Sequence, residues 1–500
     1  MKTTAKIILL TAVTVSLFFA SWYVAHGDIY FPADIGRDFH ILEEIRQKKI
    51  ILIGPRSSGG LFHGPLWPYL NFPAYAIGRG NPIIVGWFWI LLIGIFVISC
   101  YEIARRLFTT ATAMLFTAMT SLYMGFHARG LFNPHGAMMV LPGFYFALIR
   151  YGQTVDIRYL ILLLALGAAM TQFQLAIGIP FLLLAAVPVG YAIWKKRKFS
   201  HILSVLLLPV FLGNFIIFNV RHDAFFTRQI GAFISPTQSG EPFNYLAWVP
   251  ERLWLMISSM EILHVDPGLR NLFLFGLVIV LVCLQIADKR YRREYVTFLY
   301  LYVGFFVLSL VDKGPMVYFY LFPLFPLVFL IFCSLVESRA KYVFLVVFFV
   351  VNAFNVSAAF GDIKDSKAFI GNDEDSWKFL STLSESVFRE APEEFGYFVF
   401  APDVFAYEPK YAMKYAASRS PKRAWYFQKK PVTYLIMAPP PRWDPYMTGQ
   451  WWKINQIKIA PPADSVTTYP NGYRVEKVFL TSADQAVAFD PAVDPAMHFR

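Results

Sequence analysis

The chain has 500 residues, a mean hydropathy of +0.48, 57% hydrophobic residues and 16% charged ones. A soluble domain of this length would carry about a quarter charged residues, so the composition excludes one. The net charge of +12 would suit nucleic acid, but the clustered Lys and Arg fall in short stretches between apolar runs, which marks topology and not a nucleic-acid patch.

The first apolar run, Ile7 to Val24, follows Lys2 and Lys6 in the manner of a signal peptide. Trp22, Tyr23 and His26 crowd the place where small residues would be cleaved, so the run is expected to stay as a first span. Ten more runs follow near 83–104, 107–126, 136–151, 158–174, 176–194, 201–219, 270–287, 295–311, 317–336 and 343–360. Each is close to the ~20 residues that a bilayer core requires, giving about eleven spans, with the pair 158–194 breaking near Gln172 and Gln174. Cys100, Cys283 and Cys333 all sit inside apolar runs, which leaves no disulfide framework for the exposed parts.

With the N-terminus inside, the cytoplasmic connections carry Arg105/Arg106, Arg150/Arg158, Lys195–Lys198, Lys289–Arg293 and Arg339/Lys341. All are short and basic, as the positive-inside rule requires. The longer stretches 25–82, 220–269 and 361–500 then lie outside. In the last of these, helical stretches at 376–389 and 404–417 alternate with strand-like runs at 397–401, 432–438 and 473–480, which suggests a small α/β domain. The expected architecture is an all-α polytopic membrane protein of about eleven transmembrane helices over 1–360, with a small extracytoplasmic α/β domain at 361–500. No long internal repeat appears, against an inverted-repeat transporter.

The external loop 25–82 carries the chemistry. Asp34, Arg37 and Asp38 come directly after the first span. Phe39, Leu42 and Ile45 then face one way and Glu43, Glu44, Gln47 and Lys48 the other, a pattern suited to a helix lying in the interface plane. A carboxylate here can accept the proton of an attacking hydroxyl. A guanidinium can pair with a phosphate leaving group through two hydrogen bonds. The bland alternative is that Asp34 and Asp38 only solvate the interface and pair with Arg37.

The segments "DIGRDFHILEEI", "GPRSSGGLFHGPLWPYL" and Asn81-Pro82 resemble the first external loop of bacterial protein-mannosyltransferase-like GT-C glycosyltransferases, multispan enzymes that use polyprenyl-phosphate-linked sugars. "ARGLFNPHGAMMVLPGF" resembles a further stretch of the family, and "TQFQLAIG" a looser one in which many relatives have histidine at the position of Gln174. The resemblance implies that Asp34 is the first-loop catalytic aspartate. It also implies that Arg37 matches a basic residue that contacts the lipid phosphate in the aminoarabinose-transferase branch. The chain departs from that branch at His63-Gly64-Pro65, where the branch has Glu-Lys-Pro; the phosphate-binding lysine is missing, and His63 or another basic residue must replace it.

Other polar clusters have two readings each. His127, Arg129, Asn133 and His135 gather at the outer end of the third and fourth spans. They suit headgroup or sugar contact, or plain interface polarity, better than a metal, which would need three well-spaced ligands. Gln172 and Gln174 could bond a sugar hydroxyl or act as polar glue between helices. Arg221, His222, Asp223 and Arg228 run against the outer charge bias and suit an anionic ligand. Lys313 near Tyr318 and Tyr320 could touch a phosphate or snorkel. Glu261 and Asp266 have no assigned role. No Gly-rich phosphate loop, Ser/His/Asp set or CxxC is present.

The function expected from the resemblance is an inverting glycosyltransferase in the inner (plasma) membrane, N-terminus cytoplasmic. It moves a sugar from a polyprenyl-phosphate donor to a hydroxyl of a glycolipid, glycan or protein outside. Asp34 serves as base with Asp38 assisting. Arg37, His63, Arg129 and Arg221 take the donor phosphate, and Glu43, Asn133, Gln174, His222, Lys313 and Tyr320 are the substrate contacts. Some relatives use a divalent cation, which here would bridge Asp34 and Asp38, though two carboxylates alone do not make a metal site. The partners are the donor, the acceptor and membrane lipids, without nucleic acid. The rivals are a transporter or lipid flippase, which would show mid-span charges or broken helices in matched halves, and a non-catalytic scaffold.

Overall fold

The structure, a computed structural model, describes residues 3–48, 50–57, 60–234, 245–264, 268–311, 316–403, 405–440 and 448–493. All eleven expected runs fall on helical segments, from Thr3–Ala25 to Lys341–Phe369. Among the described residues, five helices are long and apolar enough to cross a bilayer alone: Pro82–Leu107, Leu175–Lys196, Leu269–Ala287, Tyr318–Glu337 and Lys341–Phe369. A sixth results if Phe199–Phe211 and Gly213–Arg221, bent by 52°, form one span. The chain is a multi-pass membrane protein.

Local sequence sets the helix limits. Thr109 and Asp156 cap Thr110–His127 and Ile157–Phe173 by accepting from the backbone N–H of Thr112 and Arg158, satisfying donors that the helix itself leaves free. Val155 (φ 52°) and Arg197 (φ 53°) end the helices before them in the left-handed region, and Lys195 and Lys196 place positive charge in a last turn, where the helix dipole favours it.

Contacts divide the chain into two compact units: Met1–Ser21, Ile50–Leu70 and Trp89–Asp362 in one, and Trp22–Lys49, Asn71–Phe88 and Ile363–Arg500 in the other. The sequence placed the whole of 25–82 with the spanning helices; by contacts, its larger part groups with the C-terminal residues. Of the five long spans, Tyr318–Glu337 is the most enclosed, 83% buried against 28–44% in the other four. Two of the expected cytoplasmic connections are tied there by Arg290–Glu337 at 2.8 Å and Arg339–Asp288 at 2.7 Å.

The second unit contains a five-stranded sheet: β1 (Glu394–Phe400), β2 (Arg423–Tyr426), β3 (Val432–Met437), β4 (Ser465–Thr468) and β5 (Arg474–Phe479), in the order β2-β1-β3-β5-β4. β1 runs parallel to β2 and β3, while β5 is antiparallel to β3 and β4. Six of the seven β1 residues are buried, as in a parallel strand covered on both faces. The expected strands are β1, β3 and β5, and the expected helices are Trp377–Glu390 and Tyr407–Ala417; β2 and β4 are additions.

The helix Ala33–Lys48 corrects one expectation. Phe39, Leu42 and Ile45 do share a face, but it is buried in protein and not laid in lipid. The Phe39 ring stands 5.2 Å from those of Phe31 and Tyr411 and 6.0 Å from Tyr75. Asp28, fully buried, accepts from Ile29 N (2.8 Å), Lys378 N (3.0 Å), Gly371 N (3.1 Å) and Ser376 Oγ (2.6 Å). The end of the first span is thereby sewn to the start of the sheet region.

Candidate functional site

In the second unit, Asp34 occupies the first turn of Ala33–Lys48, where the helix dipole favours a carboxylate. One turn on, Arg37 reaches back with Nη1 to Asp34 Oδ1 at 2.5 Å and across with Nη2 to Asp38 Oδ1 at 3.2 Å. The three differ in exposure: the Asp34 side chain is 43% exposed, Arg37 12% and Asp38 7%. Burial works against the guanidinium's charge, but Asp38 and then Asp34 more than offset it and raise the Arg37 pKa. The result is a braced carboxylate, Asp34, open to solvent on a buried ion pair. A phosphate seeking Arg37 would compete with both aspartates for its donors. The guanidinium also takes the place between Asp34 and Asp38 that a bridging cation would need, so these residues do not fit one. Among the described residues, no group of three or more His, Cys, Asp or Glu is placed to hold a metal.

The wall behind this helix comes from the C-terminal region. A Cβ on Gly36 would lie 3.0 Å from Glu408 N and 3.1 Å from Tyr407 C, so only glycine admits the start of helix Tyr407–Ala417 at this distance. His40 Nε2 meets the Tyr407 carbonyl at 3.0 Å. Glu408, which sequence reasoning missed, brings a carboxyl into this region; burial first, then Asp403, pushes its pKa from 4.5 up to about 8. The sequence signal was Gly36 itself, a glycine inside an otherwise good helix.

Glu43, a candidate substrate contact, is buried, and its carboxylate accepts from Tyr75 OH (2.6 Å), Arg46 Nη2 (2.7 Å) and Gln47 Nε2 (3.0 Å). Burial opposes its charge, but the hydrogen bonds, led by Arg46, lower its pKa overall. It braces Tyr75 within the unit.

In the first unit, loop 54–64 folds back on itself through Gly54 N to His63 O, His63 N to Pro55 O (both 2.8 Å) and Ser57 N to Leu61 O (2.6 Å). It seats on the break at Gln174: Gly64 N donates to Gln172 O at 2.8 Å, and Leu175 N approaches His63 Nδ1 at 3.4 Å. A Cβ on Gly64 would fall 1.6 Å from Gln172 Oε1. Asn133 Nδ2 donates to Phe173 O (2.8 Å) and Gln174 Oε1 (2.9 Å), while Gln172 Nε2 reaches Asn214 Oδ1 (2.5 Å) and Phe211 O (3.0 Å). His63, Asn133 and Gln174 are therefore brought together and buried, and the hydrogen bonds of Asn133 to Phe173 and Gln174 tie helices to one another.

His127 and His135 also meet, Nδ1 to Nε2 at 3.1 Å, and Glu261, which had no role in the sequence, joins them with His264 at 3.7 Å and 3.9 Å. Arg129 pairs with Asp362 at 3.2 Å and keeps 37% of its side chain exposed. Arg221 is exposed at a helix end, and His222 folds onto Phe218, its Nδ1 on the Phe218 carbonyl at 2.9 Å. Tyr320 is buried beside Phe319. Lys313 and Asp266 lie outside the described residues.

No family model matches the chain, and no curated protein does. Among solved structures, ArnT from Cupriavidus metallidurans bound to undecaprenyl phosphate matches with a TM-score of 0.60 at 13% identity, over 95% of this chain and 98% of that one. The same protein in the apo state gives 0.58 at 11% identity with the same coverage. The likeness is one of fold alone, shared with ArnT over nearly the whole of both chains.

Proposed function

We propose that the chain is a membrane glycosyltransferase. It takes a sugar from a polyprenyl-phosphate-linked donor and moves it, with inversion, to an acceptor hydroxyl on the extracytoplasmic face. The observation that carries this reading is the half-exposed carboxylate of Asp34 braced by Arg37, in a fold that ArnT shares and in which ArnT holds undecaprenyl phosphate. Asp34 takes the proton of the acceptor hydroxyl as that oxygen attacks the anomeric carbon and the bond to the lipid phosphate breaks. Asp38 fixes the far side of Arg37 and so aims Asp34. Arg37 offers its charge to the departing phosphate at the expense of its bond to Asp34. The N-terminus is cytoplasmic and the C-terminal sheet extracytoplasmic in this reading.

The test is sugar transfer by purified protein in lipid nanodiscs from a panel of polyprenyl-phosphate sugars, with mass spectrometry of the product. Asp34→Asn keeps shape and removes the base, so the rate should fall by ~10²–10⁴-fold. Its stability should change little, because the side chain is exposed and such substitutions stay within about ±0.5 kcal/mol. Transfer by Asp34→Asn at the wild-type rate would remove Asp34 from the mechanism. A wild type that transfers from no donor would remove the reading.

A further inference from the structure

The sheet of the second unit carries a cleft that the transfer reaction leaves unused. Its volume is about 390 Å³, and Pro392, Glu394, Lys430, Pro431, Val432 and Gln485 line it. These residues stand where β1 and β3 begin and where β5 has passed into the short helix Ser482–Ala486. Hydrogen bonds fix this end of the sheet: Arg423 N to Glu393 O at 2.7 Å, Leu480 N to Pro431 O at 2.9 Å and Lys430 N to Thr433 Oγ1 at 3.0 Å. The Trp425 indole N–H donates to Glu394 Oε1. Lys430 Nζ stands 3.6 Å from the same oxygen and 4.1 Å from the centre of the Trp425 ring. Arg423 Cζ lies 3.9 Å from that centre. Among the described residues, Glu394 Oε2 therefore keeps no partner while Oε1 holds two. Gln485 gives its amide N–H groups to the carbonyls of Leu480 (3.1 Å) and Thr481 (3.3 Å), which leaves the amide oxygen to accept from elsewhere.

We propose that this cleft is a binding site for an uncharged saccharide ring. Its volume falls within the ~300–1,000 Å³ of small-molecule sites. Glu394 and Lys430 offset each other's charge inside it, so neither an anion nor a cation is selected. What remains are two oxygens that accept, Glu394 Oε2 and Gln485 Oε1, and an ammonium with N–H bonds to spare. Sugar hydroxyls donate to the first two, and a hydroxyl or ring oxygen accepts from the third. Pro392, Pro431 and Val432 form an apolar wall for the C–H face of the ring. A plain surface ion pair would account for Glu394 and Lys430, but not for an amide oxygen left open in the same cleft. Trp425, with cations close to the centre of its ring, is not a stacking platform here; it is a positioning residue that ties Glu394 through Oε1. The site does not rest on the transfer reading, because Asp34 is not among its residues.

The experiment is saturation-transfer NMR on the full chain in nanodiscs. The probes are methyl glycosides of neutral hexoses, pentoses and N-acetylhexosamines, with glucose 6-phosphate as the charged comparison. At least one neutral glycoside should bind, and glucose 6-phosphate should bind no better. Glu394→Gln should weaken that glycoside by about tenfold or more, and Gln485→Met by about threefold to tenfold, the losses expected for a charged and a neutral hydrogen bond. Trp425→Phe keeps the ring and removes the N–H that ties Glu394, and should weaken it by a similar factor to Gln485→Met. Glu394 is half-exposed, so the Glu394→Gln protein should melt with the wild type. Asp34→Asn should bind the glycoside as the wild type does. A chain that binds no neutral glycoside, or binds only glucose 6-phosphate, overturns the proposal. So does binding that survives Glu394→Gln and Gln485→Met unchanged, or that Asp34→Asn abolishes while Glu394→Gln does not. Each of these results leaves the transfer reading to its own assay.

Discussion

Arg37→Ala should cost more in folding than the two ion pairs suggest at first sight, because the partners of Arg37 are unlike. Asp34 is 43% exposed and Asp38 is 7% exposed. An exposed pair contributes ~0–1 kcal/mol, whereas stranding one member of a buried pair costs ~3–5 kcal/mol. Nearly all of the loss should therefore come from the buried Asp38 losing its guanidinium. Adding Asp38→Asn to Arg37→Ala removes the buried charge that Arg37 no longer balances, so the double variant should recover much of the stability, with an interaction energy above ~1 kcal/mol. Adding Asp34→Asn instead should recover a few tenths at most. Arg37→Lys keeps the charge but loses the fork that spans two carboxylates, and should fall between. The assay is denaturant unfolding of the purified proteins in nanodiscs, followed by tryptophan fluorescence at fixed pH and salt. Effects of Arg37→Ala and Asp38→Asn that simply add, within ~0.5 kcal/mol, would refute a buried pair and with it the claim that Asp38 aims Arg37.

Gly64→Ala forces a Cβ to 1.6 Å from Gln172 Oε1 and 2.9 Å from Gln172 Cα, and should destabilise by ~2–4 kcal/mol through overpacking and one lost hydrogen bond. Gly152→Ala, with nothing within 4 Å, should be neutral or stabilise by up to ~1 kcal/mol; equal melting of the two variants would contradict the close approach. Glu408 holds its proton in the folded chain up to about 8 against an ordinary 4.5, so folding binds a proton between those values. Stability should be greatest below that window and fall as pH rises through it, by up to ~1.4 kcal/mol per pH unit. Glu408→Gln should flatten the curve, and parallel curves for the two proteins would place the titrating group elsewhere.

The spans were legible because lipid and protein interiors both demand long apolar runs, and the break at Gln174 was legible as two amides inside one. Hydropathy does not say what covers an apolar face, however. Phe39, Leu42 and Ile45 fit an interfacial helix equally well, and their cover, Tyr411, lies more than 360 residues further along the chain. β2 and β4 escaped notice for a different reason. Each has four residues, β4 is exposed throughout, and an edge strand of that length shows neither alternation nor an apolar run. Glu408 gave no signal of its own, since its environment is made by Asp34, Asp375 and Asp403 from three separate segments.

The spacing in Asp34-x-x-Arg37-Asp38 does not by itself tell the two carboxylates apart, because both sit within one turn and both engage Arg37; the resemblance alone named Asp34 as the base. Exposure separates them. A base must meet its acceptor and then hold a proton without disturbing the site. Asp38, enclosed and bonded to Arg37 through both Nε and Nη2, meets neither condition, since protonating it would release the guanidinium from its anchor. Protonating Asp34 frees only Nη1, which in the proposed reaction would happen as the departing phosphate needs a donor. In the proposed reaction, then, Asp38 holds Arg37 still and Asp34 trades its bond with Arg37 for the proton of the acceptor.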